Sequence, residues 1–192
     1  MSVPDPFPGD FAIGIHSRER KESWQQQLMS AEFPERLRLE DYFLGETTGW
    51  GMFRDRYGNL RQEFRVLATG VWRGDHLALH EEFIYRDGSH QQRTWRITPT
   101  GEGQYQGSAE DIVGLASGLI SGQSCSWQYR LKVITGNREV VLKFDDCLHL
   151  MPNGCLLGHA RVSKLGFHIG DVVLCFQRMP HHLFCADHQD IS

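Results

Sequence analysis

Long apolar runs are missing from this 192-residue chain. No stretch approaches the roughly 18 consecutive apolar residues of a helical membrane span. The opening residues show no basic start followed by an apolar core, so no secretory signal is expected, and the expected location is cytoplasmic. Cysteine is scarce: the five present (125, 147, 155, 175 and 185) make no CxxC pair. An odd count without a signal favours reduced thiols over a disulfide framework. Basic excess is also missing. A net charge of −4 and a pI near 6.2 leave no footprint for nucleic acid. Neither GxSxG, a P-loop nor HExxH occurs, which removes the common hydrolase, nucleotide and zinc-protease signatures. No catalytic residue, metal ligand or cofactor is therefore expected.

What is present is turn punctuation. From Leu37 onward the apolar residues alternate with polar ones, interrupted by Arg56-Tyr57-Gly58-Asn59, Arg73-Gly74-Asp75, Asp87-Gly88, Gly136-Asn137, Pro152-Asn153-Gly154 and Gly170-Asp171. This spacing predicts strands near 38–44, 48–54, 60–72, 76–86, 90–98, 103–109, 111–120, 124–135, 138–146, 147–151, 155–164 and 168–178. Short strands joined by tight turns form an antiparallel meander, and a long meander closes to remove its edges. The expected fold is all-β: an up-and-down barrel of about eight to ten strands. A two-sheet sandwich is the alternative. Residues 18–31 form the helix candidate, with Trp24, Leu28 and Ala31 on one stripe. Residues 1–17, with three prolines, read as an extended arm, residues 18–180 as the barrel domain and 181–192 as a tail. Residues 107–122 fit a bent strand or a short helix, and glycines 114, 118 and 122 suit the former.

The richest stretch is Leu77–Ile97. Leu77, Leu79, Glu81, Phe83 and Tyr85 alternate on one side, then Arg93, Trp95 and Ile97. If Gly88 takes the left-handed position of a three-residue loop, Tyr85 pairs with Ser89. Glu81 then falls opposite Arg93, and Leu79 opposite Trp95. An acid and a base inside an apolar wall must pair to be tolerated. Such a pair serves either as a register-fixing ion pair or as the polar anchor of a ligand carboxylate. Trp50, Trp72, Trp95 and Trp127, with Phe83 and Tyr85, would supply an aromatic lining, or simply a packed core.

Weaker constellations have plainer readings. Of Asp145 and Asp146, adjacent on one strand, only one can face inward, and a solvated strand end accounts for both. His181, His182, Cys185 and His188 have metal-like composition, but their spacing fits no zinc site and a solvated tail suffices. Haem ligation by His149 or His159 has no more support.

The residue series Phe43-Leu44-Gly45, Gly49-Trp50-Gly51-Met52-Phe53, Gly70-Val71-Trp72, Leu79–Gly88, Arg93-Thr94-Trp95, Ala109–Gly114, Trp127-Gln128-Tyr129, Phe144-Asp145-Asp146 and Lys164–Phe167 resembles the proteobacterial domain-of-unknown-function 3833 family. The resemblance implies a lipocalin-like (calycin) barrel with no established activity. Some members of that family look like lipoproteins with a lipid-attachment cysteine. No cysteine precedes Cys125 here. An association of such members with fatty-acid modification tilts the ligand towards acyl chains. Three functions remain open on these grounds. The first is a carrier of a small hydrophobic ligand, anchored by Glu81 and Arg93. The second is an enzyme on a lipid or isoprenoid that uses Glu81 as acid or base. The third is a filled barrel that recruits a partner.

Overall fold

The computed structural model describes residues 36–178. The helix expected at 18–31, the arm at 1–17 and the histidine-containing tail lie outside the described residues. Ten strands follow a five-residue helix, α1 (Leu39–Phe43). They are β1 (Gly45–Asp55), β2 (Leu60–Arg73), β3 (His76–Tyr85), β4 (His90–Gly101), β5 (Gln104–Ser108), β6 (Ala116–Ser121), β7 (Ser124–Thr135), β8 (Arg138–Leu150), β9 (Leu156–Lys164) and β10 (Phe167–Arg178). Every strand pairs antiparallel with its sequence neighbours, and β1 closes on β10. The result is a closed up-and-down barrel, in which no strand is left with an unpaired edge.

Three expectations change in detail. The strand expected near 38–44 is the helix α1: Leu39, Tyr42 and Phe43 bury one face at helical spacing. The strands expected at 138–146 and 147–151 are one strand, β8. Residues 107–122 contain no helix. They comprise the end of β5, a turn with an isolated bridge from Ile112 to Leu131, and β6.

Helix α1 plugs one end of the barrel. Leu37, Leu39, Tyr42 and Phe43 are all buried there. The Tyr42 hydroxyl accepts a hydrogen bond from the Leu156 amide at 3.1 Å and lies 3.0 Å from the Phe176 carbonyl oxygen. The Phe43 ring meets Phe176 edge-on at 5.2 Å. Leu77, Cys125 and Leu156 are fully buried at this level. Towards the opposite end the inward residues Phe53, Phe64, Phe83, Tyr85, Val133, Leu142 and Ile169 retain partial exposure. Among the described residues, one end of the barrel is therefore covered by α1, and at the other the inward side chains stay half-exposed.

The barrel wall is asymmetric in side-chain size. On β4, β7 and β8 the inner face carries Trp95, Trp127, Tyr129 and Phe144, whereas on β9, β10, β1 and β2 Ala160, Gly170, Gly49, Gly51 and Ala68 alternate with larger inward residues such as Phe53, Phe64 and Phe176. Large residues across from small ones fill a barrel without strain. Gly70 is the most constrained of the glycines. Any Cβ there would overlap the carbonyl oxygen of Phe43, where the end of α1 presses on β2. Gly70→Ala is accordingly expected to lower stability by about 3 kcal/mol or more in urea denaturation. Gly101→Ala, where the nearest atom to a Cβ is 3.6 Å away, should change it by less than about 0.5 kcal/mol.

Candidate functional site

The β3–β4 hairpin sets the site. Gly88 has φ +82°, and the Tyr85 amide bonds the Ser89 carbonyl at 2.9 Å. The Asp87 carboxylate holds the loop by accepting from the Ser89 amide at 2.9 Å. This odd-length turn fixes the register: Glu81 pairs with Arg93 and Leu79 with Trp95, as the alternation predicts. All four side chains then point into the barrel, because opposite residues of an antiparallel pair share a face.

Inside, the geometry is richer than one ion pair. Arg93 Nη1 lies 3.8 Å from Glu81 Oε2, too far for a strong hydrogen bond. Its principal partner is Asp111, in the turn between β5 and β6. Arg93 Nε donates at 2.9 Å to Asp111 Oδ2, and Nη2 reaches the same oxygen at 2.8 Å. That turn is held against β7 by the Lys132 amide on the Asp111 carbonyl at 2.9 Å and by the Val113 amide on the Arg130 carbonyl at 2.9 Å. Glu81 is instead served by the Trp95 indole, whose Nε1 donates to Oε2 at 3.1 Å. The guanidinium lies 5.7 Å from the Phe83 ring centre and 5.6 Å from that of Trp95.

A further acid completes the cluster. Trp127 on β7 pairs with Asp146 on β8, so Asp146 is the inward member of the Asp145-Asp146 dipeptide. Asp146 Oδ1 is buried and has no hydrogen-bond partner among the described residues. Burial pushes its carboxyl up to about 8, with the Glu81 charge adding to the rise, while the Tyr129 hydroxyl and Arg93 act against it. Burial also raises Glu81, opposed chiefly by Arg93. For Arg93 the balance reverses. Burial alone would lower its pKa, but Glu81 and Asp111 outweigh that and raise it. Tyr129 is pushed up by burial and by Asp146. Its ring stacks on Phe144 at 5.0 Å and meets Trp95 edge-on at 5.5 Å. Arg93, Tyr129 and Asp146 each keep some accessible surface, although Asp146 Oδ1 itself keeps essentially none.

The structure brings together six of the eight residues singled out from sequence. Glu81, Arg93, Trp95 and Trp127 form the middle level, and Phe83 and Tyr85 lie towards the mouth. Trp50 and Trp72 stand apart. Trp50 is 56% exposed on the outer wall, in an open groove of about 700 Å³ that also includes Met52, Arg65, Ile84, Val173 and Cys175. Trp72 is 41% exposed at the end of β2, with its indole bonded to the Gly74 carbonyl at 2.9 Å. The solvated strand end expected for Asp145-Asp146 is corrected for Asp146, which alternation with Phe144 and Leu148 could have placed inside. Asp111 was missed altogether. His149 bonds Ser124 and His159 bonds Asp171, and no metal-ligating cluster occurs among the described residues.

Fold and site together define a closed ten-stranded barrel, sealed by α1 at one end, with one guanidinium and three carboxyls among aromatics at its middle. The chain belongs to the DUF3833 family of proteins of unknown function, which it matches over residues 23–178. A solved structure of similar fold is a protein of unknown function of the DUF3598 family from Nostoc punctiforme, at 16% identity and a TM-score of 0.54. The match covers 78% of this chain and 51% of that one, so this chain spans about half the length of that relative. Comparison with curated proteins gave no match.

The buried acid has a consequence for stability. A carboxyl whose pKa is higher folded than unfolded holds its proton in the native state after the unfolded chain has released it. Its burial is therefore free of ionisation cost below about pH 4 and grows costly as pH rises towards 8, reaching a few kcal/mol. Wild-type stability should fall over that window. In Asp146→Asn, which keeps the shape without the charge, urea denaturation should show a flatter profile and higher stability at pH 8.

Proposed function

We propose that this protein binds a small, mostly apolar molecule inside the barrel, with its polar end on the Arg93 cluster. The observation that carries this reading is the gradient of burial. A sealed end, a polar middle and a half-exposed aromatic mouth are the parts of a pocket that orients an amphiphile. Arg93 and Glu81 contribute as a fixed polar floor. Trp95, Trp127 and Phe83 contribute apolar wall, with Tyr85 at the rim.

Carrier chemistry fits this floor better than catalysis by Glu81. The Glu81 carboxyl is tied to the Trp95 indole and faces Arg93, so it lacks the freedom of a general base that must reach a substrate proton. Arg93 is likewise committed to Asp111, which leaves little of its fork for a ligand carboxylate.

The test is a titration of delipidated protein carrying Trp24→Phe, Trp50→Phe and Trp72→Phe, so that emission reports Trp95 and Trp127 alone. Decanol, decylamine and decanoate supply one tail with three heads. The expected outcome is a saturable change with one molecule bound per chain by native mass spectrometry. A flat titration with all three would contradict interior binding.

A further inference from the structure

We propose that the interior site takes a cationic amine head group on an otherwise apolar ligand, drawn to the buried Asp146 carboxyl beside the rings of Trp127 and Tyr129. This inference rests on the interior-binding reading above and specifies the class of molecule bound.

Charge is the first argument. The interior cluster holds three carboxyls, on Glu81, Asp111 and Asp146, against the single guanidinium of Arg93. Arg93 spends Nε and Nη2 on Asp111, so Asp146 has no cation of its own. A carboxylate head group here would meet further acids and a guanidinium already paired, whereas an ammonium finds carboxyl groups in excess of cations.

The second argument is an unsatisfied atom. Asp146 Oδ1 is buried without a partner, a state that costs about 1–3 kcal/mol for a neutral acceptor and more for a charged one. A ligand N–H supplies the missing donor. The third argument is the surrounding aromatic surface. Trp127 is the cross-strand neighbour of Asp146, Tyr129 lies beside its carboxyl, and Trp95 packs edge-on against both rings at 5.9 and 5.5 Å. Aromatic faces carry partial negative charge, and a carboxylate flanked by them suits an ammonium ion.

The groups that act on Asp146 come from several strands: Glu81 from β3, Arg93 from β4, Tyr129 and Cys125 from β7 and Asp145 from its own strand. Arg93 is the only cation among them. Burial favours the protonated form of the Asp146 carboxyl. Arrival of an ammonium displaces that proton to solvent and leaves an ion pair, so charge and protons balance. A neutral head group that merely accepts a hydrogen bond from the protonated acid would release no proton.

The experiment compares decylamine, decanol and decanoate on the full-length wild type and on Asp146→Asn at pH 7, by calorimetry in two buffers of different ionisation enthalpy. The wild type should bind decylamine roughly tenfold more tightly than decanol, and decanoate least, with proton release for the amine alone. Asp146→Asn should lose roughly tenfold or more for decylamine and stay within about twofold for decanol. Equal or tighter binding of decanol or decanoate to the wild type would overturn the amine assignment while leaving interior binding intact. So would undiminished decylamine affinity in Asp146→Asn. If that variant fails to fold, the wild-type ranking and the proton release decide the matter alone. Absence of binding by all three probes would instead remove the interior-binding reading and this inference with it.

Discussion

The site is organised by the pairing of the enclosed Arg93 with the partly exposed carboxylate of Asp111. A guanidinium taken from water into an apolar wall is tolerated only if its donors are met. Asp111 meets two of them, and Glu81 stands behind at 3.8 Å. The pair ties the β3–β4 hairpin to the turn between β5 and β6, where the wall is made of the shortest strands. Two acids per guanidinium leave no compensation for a third. Burial, with the Glu81 charge adding to it, favours the protonated form of Asp146, and its Oδ1 is left without a partner among the described residues.

Packing determines where that demand is felt. Glycines make room for the large rings beside them: Gly51 for Phe64, Gly170 for Phe53, and Gly49 for Phe176. Trp127 lies against Gly107 and Gly118, whose missing side chains create its slot. Helix α1 removes the far end from solvent, with the Tyr42 hydroxyl meeting three backbone groups, of Gly154, Leu156 and Phe176. The same asymmetry leaves accessible surface at the middle level and at the mouth. Stability is concentrated at the sealed end and chemistry in the middle.

The hairpin was readable from sequence because three independent signals agreed: an Asp-Gly turn, alternation on both strands, and an acid and a base that had to meet. The meander was readable from turn spacing, and its closure from the cost of a long unpaired edge, with a two-sheet sandwich as the alternative. Asp111 was not readable, since it lies in an irregular turn where period two carries no information and only tertiary folding brings it to Arg93. Asp146 was readable in principle, by its parity with Phe144 and Leu148. It was obscured by its neighbour, because one exposed aspartate makes a dipeptide look like a strand end. Trp50 and Trp72 show the limit of residue type as a guide. Both are tryptophans in strands, but Trp50 has outward parity and Trp72 lies past the last buried turn. The helix at 39–43 was lost for a similar reason: five residues give a period too few repeats to distinguish 3.6 from 2.

At the centre of this picture Asp146 is a buried acid, bonded by the Tyr129 hydroxyl and with one oxygen, Oδ1, left without a partner among the described residues. A high-resolution crystal structure of the protein purified without detergent, at pH 7, tests it most directly. The account predicts ordered density, from solvent or a retained molecule, within hydrogen-bonding distance of Asp146 Oδ1 and continuous with the open end of the barrel. A carboxyl bonded on both oxygens by protein groups, with side chains filling the space beside Tyr129, would contradict it.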